Sequence, residues 1–208
     1  MPVRHIPNRT SSVAGLVAGG KSIGKGEAES TLEADLLTLL EYREDVIDYE
    51  VQPVDVRWVD AHGKRRGYVP DIRFRKLHRD RIVTILGEVK PVDVLRRNWA
   101  ELRPRFMHAV CYARNRGWIF KIFTEKRIRT EELRTAKFLL SYRFRQEIDP
   151  NLEQEILRAA GRPRTIRALL GPKSDANRLA TIWTLLARHQ LRLRTDLRLT
   201  MDSVVWRS

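Results

Sequence analysis

Cysteine is nearly missing from this chain of 208 residues, with Cys111 standing alone. One thiol closes no internal disulfide, and with no Cys-x-x-Cys pair there is no cysteine zinc cradle. Histidine is also sparse. His5, His62, His78, His108 and His189 are scattered, without a His-x-His or His-Glu-x-x-His spacing, which argues against a zinc enzyme. No long apolar run is present, so no membrane span is expected. Residues 1–26 lack the apolar block of a secretory signal. An intracellular, reducing compartment fits this cysteine usage. Acidic residues are in deficit: 26 Asp and Glu face 40 Lys and Arg, for a net charge of +14. The excess is not one tail, because residues 151–208 hold 11 basic and 5 acidic residues and the remainder holds 29 and 21. A polyanion is the natural partner, since each neutralised phosphate releases condensed counterions.

What is present divides into three stretches. Residues 1–26 mix Ser, Asn and Gly and read as a flexible arm. From Leu32, Leu36, Leu39 and Leu40 a helix is predicted, started by a Ser30-x-x-Glu33 capping box and ending near Tyr42–Asp45. Strand alternation follows over Tyr49–Trp58 and Tyr68–Phe74, separated by a turn at 61–67. After a charged turn at His78–Arg81, a third strand runs from Ile82 to Lys90, giving an antiparallel meander. A long helix over Leu95–Asn115 stops before Gly117. Trp118–Thr124 is nearly all apolar and reads as an internal strand, and Glu131–Phe144 as a helix. The first domain is therefore expected at 27–148 with an α/β fold. Residues 149–208 carry three short helical segments and an alternating end at 191–200, the layout of a winged helix or else of a small helical cap.

The chemistry concentrates in the strands. Asp71 follows Pro70, and Glu88-Val89-Lys90 closes the third strand. Neighbouring antiparallel strands can set Asp71 beside Glu88. The period of two then puts Glu88 and Lys90 on one face, with Val89 in the core. Two carboxylates suit a hard divalent cation that keeps several waters. Such a cation acidifies water and offsets charge at a phosphodiester in transit, while a lysine attracts the phosphate or orients the water. Glu-x-Lys alone is an ordinary exposed-strand pattern. In an interior-looking strand a charged pair is costly without a purpose, and this chain is strongly basic.

These residues resemble the PD-(D/E)xK nuclease superfamily, and more closely the TnsA endonuclease subunits of heteromeric transposases. The likeness runs from Glu29 to about Thr130, through Ser30-Thr31-Leu32-Glu33, Tyr49-Glu50-Val51-Gln52-Pro53, Tyr68-Val69-Pro70-Asp71 and Glu88-Val89-Lys90. It implies a restriction-endonuclease-like mixed sheet flanked by helices, with a C-terminal winged-helix-like domain. Glu33, Asp71, Glu88 and Lys90 would be the catalytic set, and Asp71, Glu88 and Glu33 would bind one or two Mg²⁺ ions, Mn²⁺ substituting. Glu29, one turn before Glu33, competes for the helix position, and Glu33 also has a capping role available. The implied activity is cleavage of the 5′, non-transferred strand at transposon ends in double-stranded DNA. The implied partners are a DDE-type transposase subunit and a transposition AAA+ ATPase. The implied setting is the prokaryotic cytoplasm, at the nucleoid when on DNA.

Around the motif, Gln52 is either polar support for the site or an ordinary residue before Pro53. Arg96, Arg97, Arg103 and Arg105, with Lys121, Lys126, Arg127 and Arg129, either grip phosphates or form solvated faces. Trp99 either stacks on DNA or joins the core. Arg192, Arg194 and Arg198 either form a DNA-contacting wing or line the outer face of a hairpin. Two rivals remain: a stand-alone restriction or repair nuclease, and a non-catalytic winged-helix DNA-binding protein whose Asp71, Glu88 and Lys90 are structural ion pairs.

Overall fold

In a computed structural model of the chain, which describes residues 20–24, 28–145, 148–172 and 175–208, the first helix begins at the predicted capping box. Helix α1 (Thr31–Tyr42) is capped by Ser30, whose Oγ accepts from the Glu33 N–H at 3.2 Å. Its leucines 32, 36, 37, 39 and 40 are all buried. Contacts divide the chain into two units, Met1–Ile128 and Arg129–Ser208.

In the first unit, β1 (Val46–Val51), β4 (Ile72–His78), β5 (Arg81–Val89) and β6 (Ile119–Phe123) form one sheet in the order β1-β4-β5-β6. The first three are antiparallel, as the meander requires, and β6 runs parallel to β5. A parallel neighbour needs a crossover. It is supplied by α2 (Val92–Arg97) and α3 (Trp99–Arg114), which divide the expected single helix at Asn98. The β4–β5 turn places Arg79 and Asp80 at φ 47° and 59°, the twist a two-residue hairpin favours.

Several expectations are corrected. The expected strand Tyr49–Trp58 is two strands, because Gln52 takes φ 49° and Pro53 has no N–H for the ladder. Its second half, β2 (Val56–Val59), pairs with β3 (Arg65–Tyr68) in a separate two-stranded hairpin, so the expected turn at 61–67 is partly strand. Strand β6 is at the sheet edge rather than internal, and Ile119 is 45% exposed. Within the expected arm, residues 20–24 lie along β1, with Ile23 N–H donating to Tyr49 O at 2.8 Å and Tyr49 N–H to Lys21 O at 3.0 Å. The rest of the arm expectation, residues 1–19 and 25–26, lies outside the described residues.

The second unit contains α5 (Glu131–Arg143), α6 (Pro150–Ala159), β7 (Arg164–Thr165), α7 (Ile166–Leu170), α8 (Ala176–Ala187), β8 (Leu191–Leu193) and β9 (Val204–Arg207). Its antiparallel sheet has the order β7-β9-β8. The sequence pattern places only β8 within 191–200; its partner β9 lies beyond that range, and β7 is an addition. Helix α5 was expected with the first domain, but it packs on α8, with Phe138 edge-on to Trp183 at 5.2 Å. Ile156, Ile166, Ile182, Leu185, Leu186 and Val205 make the core of this unit, each fully buried. Among the described residues, no helix is long and apolar enough to cross a membrane.

Candidate active site

The carboxylates meet at the C-terminal end of β5. Asp71 immediately precedes β4, whose first residue Ile72 faces Gly87. That register sets Asp71 beside Glu88 and Val89. The Val89 N–H donates to Asp71 Oδ2 at 2.6 Å, which fixes the carboxylate across the strand end. Gly87 is required by crowding: a Cβ there would stand 2.8 Å from Ile72 Cγ2 and 2.9 Å from the Phe123 ring.

Glu88 is 2% exposed and so must be compensated. Lys90 Nζ lies 3.0 Å from Glu88 Oε1 and 3.8 Å from Asp71 Oδ2. The Tyr68 hydroxyl donates to Glu88 Oε2. Lys90 is itself pinned by its N–H to Phe123 O at 3.0 Å, and Val89 is buried as expected. One lysine thus serves two acids, and the electrostatics register the deficit. Burial, then the charge of Glu88, pushes the Asp71 carboxyl well above the usual range, against the pull of Lys90. Burial lowers Lys90, but Asp71 and Glu88 outweigh it and hold the ammonium above its usual value. Burial and the adjacent carboxylate of Glu88 push the Tyr68 phenol up, so it stays a donor.

Helix α1 brings Glu33 to the other side of this cluster. Glu33 and Asp71 line one small cleft together with Leu36, Val51, Ile72 and Val89. The capping role is real: the Glu33 carboxylate accepts from the Glu29 N–H at 2.8 Å and from the Ser30 hydroxyl at 2.9 Å. Burial is the main cause raising Glu33, while Lys90 pulls it down, so the cap residue also feels the lysine. The competing acid Glu29 is held by Gln52, whose Nε2 donates to Glu29 Oε1 at 2.6 Å. Gln52 also donates its N–H to Asp71 O at 2.9 Å, so its left-handed backbone is tied to the strand that carries Asp71. Its own Oε1 is buried without a hydrogen-bond partner among the described residues.

The donor set suits a hard divalent cation. Asp71 and Glu88 are carboxylates raised or compensated at one point, and a second positive charge would relieve their repulsion. Among the described residues no three His, Cys, Asp or Glu side chains close around a metal by themselves. Two carboxylates with water completing the shell are the arrangement Mg²⁺ commonly accepts.

The remaining sequence candidates spread out. Arg97 is ion-paired to Asp93 at 2.5 Å and Arg105 to Glu101 at 2.6 Å, both within their helices. Arg96 and Arg103 are exposed. Lys121 faces Gly87 in the register, so it points away from the sheet side of Glu88. Lys126 is exposed on the short helix α4 (Glu125–Ile128). In the second unit Arg192 donates to Ser208 Oγ at 2.9 Å, and Arg194, beyond β8, pairs with Asp196 at 2.7 Å. Trp99 is no core residue: it is 48% exposed and meets Phe106 at 6.1 Å. Tyr68 carries no role in the sequence pattern. Its only signal was a strand-end tyrosine three residues before Asp71, and which carboxylate it meets depends on pairing that periodicity does not fix.

No curated protein matches the chain. Residues 43–125 match the family model described as TnsA-like endonuclease N terminal, a span that includes Tyr68, Asp71, Glu88 and Lys90 and begins after α1 with Glu33. Over residues 43–125 the chain is thus similar to the N-terminal domain of TnsA-like endonucleases.

Proposed function

We propose that the chain is the Mg²⁺-dependent endonuclease subunit of a heteromeric transposase, cutting the 5′, non-transferred strand at transposon ends. The observation that carries this reading is Lys90 Nζ standing 3.0 Å from Glu88 and 3.8 Å from Asp71, inside the stretch that matches the endonuclease model. Asp71 and Glu88 would hold the cation, with Glu33 reaching it from α1; Mn²⁺ would substitute. Bound there, one or two such ions would acidify water and offset charge at the phosphate. Lys90, kept as an ammonium by its two carboxylates, serves as a cation that draws in the scissile phosphate and orients the attacking water. Tyr68 holds Glu88 in place through its second oxygen. Gln52 supports the site indirectly, through Glu29 and the backbone of Asp71.

The fold supports the same reading. We take the first unit as a restriction-endonuclease-like core. We read a winged helix in the second unit from the order α6, β7, α7, α8, β8, β9 around the β7-β9-β8 sheet, with α5 preceding it. The nuclease domain would then span 27–148 or end at the unit boundary at 128, with the winged helix following. The partners in this reading are a DDE-type transposase cutting the 3′ ends and a transposition ATPase. The setting is the prokaryotic cytoplasm at the nucleoid.

Mapping cut ends in an excision reaction reconstituted with the partner transposase tests this. Asp71→Ala should lose 5′-strand cleavage while the transposase still nicks the 3′ ends. Wild-type 5′ cleavage by Asp71→Ala would defeat the assignment.

A further inference from the structure

We infer that the β2–β3 hairpin is a phosphate grip that holds duplex DNA beside the carboxylate site, an inference that rests on the nuclease reading above. The site needs such help. Glu33, Asp71 and Glu88 bring three carboxyl groups to the place where a phosphate must enter, and one lysine is shared between two of them. The hairpin is rooted at that point, because β3 ends on Tyr68, whose hydroxyl bonds Glu88. Its other strand is fastened on one face: Val56 is buried, and the Trp58 ring stacks on His108 of α3 at 4.3 Å with 17° between planes.

The turn is preorganised. Asp60 Oδ1 accepts from the N–H groups of His62 at 2.9 Å and Lys64 at 3.0 Å, and Gly63 takes φ 74°. Charge is then distributed unevenly. Arg57 is neutralised by Asp55 at 2.6 Å and Arg66 by Asp60 at 2.8 Å. Lys64 and Arg65 are exposed and have no ion-pair partner among the described residues. Two uncommitted cations therefore sit on an ordered ribbon whose base touches the site. Counted from Tyr68, Lys64 is four residues away, about 13 Å at strand rise. That distance is roughly four nucleotide steps along one DNA strand. The contact would be to backbone phosphates and would carry no sequence preference.

The experiment is duplex-oligonucleotide binding by the full chain, read by fluorescence anisotropy across a NaCl series in EDTA, so that no cleavage is needed. K64Q/R65Q should bind several unrelated sequences equally more weakly. The slope of log K against log salt should flatten by about two, close to one per cation removed. Arg81→Gln removes an equally exposed cation at the other end of β5, about 23 Å from Glu88 by strand rise, and should leave the slope nearly unchanged. A wild-type slope in K64Q/R65Q, at an unchanged Tm, overturns the grip. So does an equal loss in Arg81→Gln, which would mean that net charge alone is read. Failure of the nuclease reading appears elsewhere, as cleavage that survives loss of Lys90, and leaves this binding result standing.

Discussion

Three side chains share too little positive charge, and most residue-scale behaviour follows from that. Folding raises the Asp71 carboxyl above its usual value near 3.8, chiefly by burial and then by Glu88. A raised acid binds more protons folded than unfolded between the two pKa values. Stability of the metal-free protein should therefore fall as pH rises through that window, and recover as pH falls toward 3.8. Glu33 is raised in the same direction and adds to the trend. Urea unfolding from pH 4 to 8 measures it, and Asp71→Asn should flatten the curve; an unchanged curve in that variant would contradict the assignment of the proton. Tyr68 offers a second reading of the same site. Tyr68→Phe leaves a buried carboxylate oxygen without its donor and should cost about 1–3 kcal/mol in urea unfolding. No loss would mean that water replaces the hydroxyl. The proximity of Asp71, Glu88 and Lys90 was legible in the sequence from strand period and motif spacing, whereas Glu33 was added by the resemblance. Tyr68, and the Glu29–Gln52 link, were not legible, because each depends on which distant backbone lies alongside.

At the scale of elements, the decisive fact is how tightly β4, β5 and β6 converge behind the site. Gly87→Ala would push a methyl to within 3 Å of both Ile72 and Phe123, on neighbouring strands. We expect a loss of about 1–3 kcal/mol, seen as a lowered Tm, from the overpacking. An unaltered Tm would show that the strands part without cost. Helix α1, the antiparallel β4–β5 pair and the helices of the second unit were readable from periodicity and caps. The division of Tyr49–Trp58 was less so, although Pro53 was in view. Its physical cause is the left-handed turn at Gln52, a conformation that glutamine rarely signals. Strand β6 misled for another reason. Its apolar run suggested an interior strand, but α3 and the sheet cover it unevenly, and the open edge leaves Ile119 exposed.

Over the whole molecule, charge and division matter most. A net charge of +14 carried by both parts of the chain favours DNA over any neutral partner, and DNA affinity should fall steeply with salt. The second unit has a core of its own, in which Ile156, Ile166, Ile182 and Val205 are fully buried. Residues 129–208 expressed alone should therefore melt in a single cooperative thermal transition by circular dichroism. A non-cooperative melt would mean that this core depends on the rest of the chain. Asp149-Pro150 reads as a break in the sequence, and α5 before it meets α8 through Phe138 and Trp183.

If Asp71, Glu88 and Lys90 form a nuclease centre rather than a structural ion-pair cluster, cutting must depend on both the cation and the lysine. Single-turnover cleavage of a duplex carrying an element end, with partner proteins present and Mg²⁺ titrated from zero, tests it most directly. The wild-type chain should cut the 5′ strand only as Mg²⁺ is added. Lys90→Ala should bind the same duplex yet cut at least a hundredfold more slowly, a loss of about 2.7 kcal/mol or more in transition-state stabilisation. Undiminished Mg²⁺-dependent 5′ cleavage by Lys90→Ala would leave the three side chains a structural ion-pair cluster.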